Sequence, residues 1–110
     1  METQNWYKLA HTDQLVTPCL LVYPDRIRKN IARMIEIAGD PSRLRPHIKT
    51  HKTAEIIQMQ MESGISQFKC ATIAEAELLG NCGAADVLLA MQPVGYNIVR
   101  LFNLMESFPK

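Results

Sequence analysis

Two of the chain's three histidines and five groups that are or can become cationic fall in one stretch, Arg45-Pro46-His47-Ile48-Lys49-Thr50-His51-Lys52. If this stretch is extended, its side chains alternate between faces. Arg45, His47, Lys49 and His51 then share one side, with Pro46, Ile48, Thr50 and Lys52 on the other. Like charges crowding an amine favour its neutral, nucleophilic form, which is what Schiff-base chemistry with a carbonyl compound requires. The spacing does not suit a metal: histidines at i and i+4 lie about 13 Å apart along a strand, so a zinc site from His47, His51 and a cysteine is not expected.

The elements around this stretch alternate. Cys19-Leu20-Leu21-Val22-Tyr23, following Thr17-Pro18, reads as a strand. From Arg26 to Ala38, Ile27, Ile31, Met34, Ile35 and Ile37 recur at mostly helical spacing, with Asp25 as N-cap and Gly39 as the stop. Leu44 to about Lys49 reads as the next strand, and Thr53 to Ser63 as a helix closed by Gly64. Phe68–Ala71 is a short strand, and Thr72–Leu79 a helix with Thr72 and Glu75 at capping-box spacing and Gly80 at its end. Asp86–Ala90 is a strand, apolar after its first residue and so expected to be buried on both faces; Tyr96 to about Ser107 is the last helix. This order implies an α/β fold with a parallel sheet and helical crossovers. Residues 1–16 form an irregular lead-in, and 17–110 a single domain.

Three segments carry a resemblance to a known family. Thr17-Pro18-Cys19-Leu20-Leu21-Val22, the Arg45–Lys52 stretch, and Cys70-Ala71-Thr72-Ile73-Ala74-Glu75-Ala76-Glu77 resemble the N-terminal part of the D-threonine aldolase and eukaryotic-type D-serine dehydratase family. Those enzymes share the alanine-racemase-like fold of pyridoxal 5'-phosphate (PLP) enzymes. The resemblance spans about residues 15–100, and the Pro-His-x-Lys-Thr-His-Lys element is its most specific part. It implies the N-terminal portion of a PLP-binding (β/α)8 barrel, with Lys49 carrying the cofactor as a Schiff base at the carboxyl end of the first barrel strand. Lys52 is the alternative lysine. The implied activity is that of a lyase on D-amino acids: an aldolase cleaving the Cα–Cβ bond, or a dehydratase removing the α-proton and the β-hydroxyl. His47 and His51 would tune the Schiff base or handle protons, and Arg45 would supply a positive field to the cofactor.

The same resemblance implies a divalent metal in the complete enzyme, held by C-terminal residues that this chain does not contain. A complete barrel takes roughly 250 residues. At 110 residues the chain is expected to be a truncated, N-terminal piece with three barrel strands, without the strand 7 and 8 loops that often hold phosphate. An open parallel edge of this kind favours self-association.

Other readings stay open beside these. Without the resemblance, Lys49 is an ordinary solvated lysine, and His47 and His51 are equally well hydrogen-bonded strand residues. A non-enzymatic PLP-binding protein related to alanine racemase is the alternative function. A basic patch of Arg43, Arg45, Lys49 and Lys52 could contact nucleic-acid phosphates, but the net charge of +1 gives no global field for it. No apolar run reaches the ~18 residues of a membrane span, and the N-terminus lacks a secretory pattern. Cys19, Cys70 and Cys82, odd in number and without CxxC spacing, read as reduced thiols of a cytoplasmic protein, with Cys70 buried.

Overall fold

Helices rather than strands dominate the described residues, 5–109, of the computed structural model. Four helices, α1 (Pro24–Ala38), α2 (Ala54–Glu62), α3 (Ile73–Asn81) and α4 (Tyr96–Ser107), and two strands, β1 (Gln67–Cys70) and β2 (Asp86–Leu89), follow in the order α1, α2, β1, α3, β2, α4. The strands run parallel, with Phe68 opposite Val87 and Cys70 opposite Leu89, and α3 forms the crossover between them. Of the strand–helix alternation expected from the sequence, the four helices and the last two strands form; a closed barrel is not present among the described residues, since the sheet has two strands.

The segment expected as the strand before β1 is mostly not one. It pairs with β1 through a single parallel bridge, His47 with Lys69, and the Lys69 N–H donates to the Pro46 carbonyl at 2.9 Å. Proline has no N–H to extend a ladder, and from Ile48 to Thr50 the chain closes into a 3₁₀ turn instead. The Cys19–Tyr23 strand does not form either. No strand lies beside it among the described residues, and Leu20, Leu21 and Val22 are exposed.

Helix starts and stops follow local chemistry. Helix α1 begins with Pro24 in its first turn and Tyr23 as N-cap, so Asp25 is a first-turn acid rather than the cap; Gly39 ends it at φ 83°. Helix α3 carries the full Thr72–Glu75 capping box. It runs through Gly80 to Asn81, and the left-handed residue after it is Gly83 at φ 84°. Gly80 is needed for packing: a Cβ there would stand 2.9 Å from the Phe108 ring. Trp6 of the lead-in lies against α1, its ring 3.3 Å beneath the Arg26 guanidinium carbon and edge-on to Tyr23.

One face of the sheet is covered. Phe68 and Cys70 are fully buried, and with Ile48, Ile57, Ile65 and Leu79 they form the centre of the core. In β2 only Val87 and Leu89 are half-buried, while Asp86 and Leu88 are exposed, so this strand is not buried on both faces as its composition suggested. The molecule is flat, 56 × 38 × 20 Å, with a radius of gyration of 17.0 Å, against about 13 Å for a compact domain of similar length. Among the described residues no helix is long and apolar enough to cross a membrane.

Because the core is small, Phe68→Ala should destabilise the chain by roughly 3–5 kcal/mol, much of a typical total of about 5–15 kcal/mol. A urea midpoint unchanged by this substitution would contradict the central position assigned to Phe68.

Candidate functional site

The parallel arrangement sets one end of the molecule apart. The chain leaves the His47 bridge into the 48–50 turn, leaves β1 at Ala71, and leaves β2 at Ala90, all on the carboxyl side of the strands. Ligand sites of parallel α/β proteins lie at this end. A cavity of about 350 Å³ opens here, lined among others by Ala71, Thr72, Leu89, Met91, Asn97 and Arg100.

Lys49 is the middle residue of the 3₁₀ turn. Ile48 beside it is fully buried and anchors the turn in the core, while Lys49 and Thr50 are exposed. The turn closes by donation from the His51 and Lys52 N–H groups to the Ile48 carbonyl, at 3.2 and 2.8 Å. His47 caps it: its Nδ1 accepts from the Lys49 N–H at 3.3 Å. A His47 ring that accepts at Nδ1 has Nε2 as its N–H donor.

His51 does the same for the next helix. Its Nδ1 accepts from the Thr53 N–H at 3.0 Å, and its carbonyl accepts from the Thr53 hydroxyl at 2.6 Å. Burial pushes the imidazole pKa down, favouring the neutral ring. With Nδ1 occupied as acceptor, the ring proton is on Nε2, a buried donor with no hydrogen-bond partner.

The structure does not hold the four expected side chains on one face, because the segment turns at Ile48 rather than continuing extended. Lys49, His47 and His51 belong to one turn and its flanks, but Arg45 lies elsewhere. Its guanidinium forms a forked pair with Asp86 at 2.7 and 2.9 Å and also donates to the Phe68 carbonyl and to Gln67 Oε1. These partners sit at or near the amino-terminal ends of β1 and β2, the opposite end from Lys49. Arg45 is thus a staple joining three parallel segments, and its hydrogen bond to Asp86 holds that carboxyl below the usual range.

The remaining candidates divide plainly. Lys52 lies 3.8 Å from Glu75, a contact the sequence did not suggest beyond Glu75's capping position. Cys70 is buried, its thiol pushed up to about 11 by desolvation and then by the Glu75 charge, which removes it as a nucleophile. Cys19 is exposed and Cys82 half-buried. No cluster of three or more His, Cys, Asp or Glu side chains converges among the described residues.

A parallel α/β unit with an exposed lysine on a capped turn at the carboxyl end of its strands is the class of molecule these features define. The family model for the alanine racemase N-terminal domain matches residues 22–102, and the chain belongs to that family. It is 33% identical over 91 residues to the D-threo-3-hydroxyaspartate dehydratase of Delftia sp. (strain HT23), covering 82% of this chain and 24% of that protein. It is 45% identical over 51 residues to the D-serine dehydratase of Dictyostelium discoideum, covering 46% of this chain and 13% of that protein. With the 3-hydroxy-D-aspartate aldolase of Paracoccus denitrificans it shares 33% identity over 78 residues, covering 69% of this chain and 20% of the relative. The chain thus spans a quarter or less of the length of these relatives. No solved structure matches it significantly.

Two outcomes follow from this geometry. Because the folded-state pKa of His51 is lowered, its contribution to stability is present above the ordinary histidine value and is lost as pH falls below about 6.5. In His51→Asn, where the amide oxygen replaces Nδ1 as acceptor, the drop in urea midpoint between pH 7.5 and pH 5.5 should shrink; an equal drop would refute the assignment. Arg45→Met should lower stability without altering chemical labelling of Lys49, which peptide mapping would check.

Proposed function

We propose that this chain is the N-terminal part of the cofactor-binding unit of a PLP-dependent lyase acting on small 3-hydroxy D-amino acids, and that Lys49 is its cofactor lysine. The observation that carries this reading is the position of Lys49: exposed, on a hydrogen-bonded turn, at the carboxyl end of parallel strands, within a chain whose relatives are named as dehydratases and an aldolase of such substrates.

The residues present fit one part of the cofactor. The Lys49 amine supplies the group that an aldehyde requires, and the orphaned Nε2–H of His51 supplies a donor lacking an acceptor within the protein. PLP, when bound, withdraws electrons from the substrate's α-carbon, which labilises either the Cα–H or the Cα–Cβ bond. The protein's own part at this end is positional. His47 holds the Lys49 backbone through its Nδ1, and Ile48 roots the turn in the core. His51, neutral by burial and fixed in its tautomer, can donate from Nε2 but cannot accept a proton at Nδ1 without giving up the Thr53 N–H. Its role is therefore orientation through hydrogen bonding rather than proton abstraction. Arg45 has no part in this proposal, since its guanidinium is engaged at the far end of the strands. We propose the divalent metal only for the complete enzyme and assign it no ligand here.

Choice between elimination of water and cleavage of the Cα–Cβ bond rests with the groups that meet the β-hydroxyl. The relatives divide on this point, two dehydratases and one aldolase. A non-enzymatic PLP-binding role is the second reading, since the matching family model describes a domain and not an activity of this chain.

Titration of the 110-residue chain with PLP, borohydride reduction and peptide mapping tests the proposal. The expected result is a pyridoxyl adduct on Lys49 that disappears in Lys49→Ala while adducts at other lysines persist. An adduct confined to Lys52 or spread evenly over surface lysines would overturn the assignment. Lys49 labelling in an extended chain that shows no turnover of 3-hydroxy D-amino acids would favour the non-enzymatic role.

A further inference from the structure

Glu75 does more than a helix cap requires. Its Oε2 accepts from the Ala71 and Thr72 N–H groups at 2.6 and 2.8 Å, and Thr72 Oγ1 accepts from the Glu75 N–H at 3.1 Å. A capping box needs one such oxygen and is made equally by Gln. The second oxygen, Oε1, is buried, and no hydrogen-bond donor reaches it. Glu75 as a whole is 4% exposed, and leaving a buried carboxylate oxygen without a counter-group is costly. The group facing it is the Lys52 ammonium at 3.8 Å. Burial pushes the Glu75 carboxyl up, but hydrogen bonds from Ala71 and Thr72 and the Lys52 charge outweigh it, so the group is ionised at neutral pH.

Lys52 carries a second, independent anomaly. Its φ is 49°, in the left-handed region that residues with a side chain seldom adopt. Such backbone persists only where the surroundings over-determine it, and it gathers at functional sites. Here two contacts hold it. The Lys52 N–H donates to the Ile48 carbonyl at 2.8 Å, closing the Lys49 turn, and its side chain reaches Glu75 across the gap between this turn and the exit of β1.

We propose that Lys52 and Glu75 form a latch that fixes the Lys49 turn to the carboxyl end of β1, making both of them positioning residues for Lys49. The consequence for the cofactor rests on the reading of Lys49 given above; the latch itself does not. It also gives the two lysines of the motif different tasks, one presenting its amine and the other holding the turn that presents it.

Hydrogen exchange of the 110-residue chain, read at the His51 and Lys52 amides, tests this without cofactor. Glu75→Gln keeps the capping box but removes the charge, and Lys52→Met keeps the stem but removes the amine. Each should speed exchange at these two amides roughly fivefold or more, while amides within α3 and β1 keep their protection. Lys52→Arg should restore near-normal protection, and the double variant should exchange no faster than either single one. Unchanged turn amides would overturn the proposal. So would an equal rise throughout the chain, since that would make Glu75 a general stabilising residue. Borohydride trapping with PLP separates this from the function proposed above. Faster exchange in the variants with no Lys49 adduct even in the unsubstituted chain would sink the cofactor reading and leave the latch standing. A Lys49 adduct whose yield, like the exchange rates, ignores both substitutions would do the reverse.

Discussion

Parallel backbone on both sides of β1 is the constraint on which the rest of the molecule depends. One edge of β1 donates through the Lys69 N–H to Pro46, and the Cys70 carbonyl accepts from Ala90 N–H beyond β2 at 2.8 Å. Parallel strands need crossovers, and the crossovers put helices on a face of the sheet. Once these helices pack on Phe68 and Cys70, every loop leaving a strand is delivered to the same end. The Arg45 fork holds the opposite end, tying the beginnings of the three segments together. Lys49 needs no long-range contact of its own to reach its position; it is placed by the direction of the strand-like segment before it and by the burial of Ile48.

The same constraint explains the exposed apolar surface. A sheet covered on one side leaves the other side's residues to solvent, and β2 shows this in the alternation of Leu88, exposed, with Val87 and Leu89, half-buried. On α4, Ile98, Val99, Phe102 and Met105 are also exposed, although Leu101 and Leu104 on the same helix turn inward. Leu20, Leu21 and Val22 add to this surface. Among the described residues, two strands and four helices enclose ten buried apolar residues in a flat shape of 56 × 38 × 20 Å.

Much of this was legible in the residues, and the failures have a common cause. The helix at 26–38 followed from apolar spacing, those at 53–63, 72–79 and 96–107 were read between glycine- or proline-bearing breaks, though α3 runs through its expected stop at Gly80, and the capping box at Thr72 followed from two residues three positions apart. These are local signals. The strands read at Cys19–Tyr23 and Leu44–Lys49 had the right composition, but a strand exists only through its partner. The first has none, and the second meets a proline and a turn. Alternation along Arg45–His51 failed for the same reason: it presupposes extended backbone through Ile48. Arg45 could not be placed from sequence because its partner, Asp86, is 41 positions away. Glu75 was half legible, since its spacing to Thr72 announced the cap but nothing local announced Lys52.

That last pairing bears on how the motif works as a unit. In the extended reading Lys49 was preferred because it shared a face with Arg45, His47 and His51, and the turn removes that shared face. In the turn they differ in kind. Lys52 sits on strained backbone with its ammonium near a buried carboxylate, so removing its charge would strand that carboxylate. Lys49 is exposed and forms no ion pair or side-chain hydrogen bond among the described residues. In the proposed latch Lys52 holds the turn and Lys49 presents its amine, while His47 caps that turn through Nδ1 and His51 caps the backbone at Thr53, where the next helix begins.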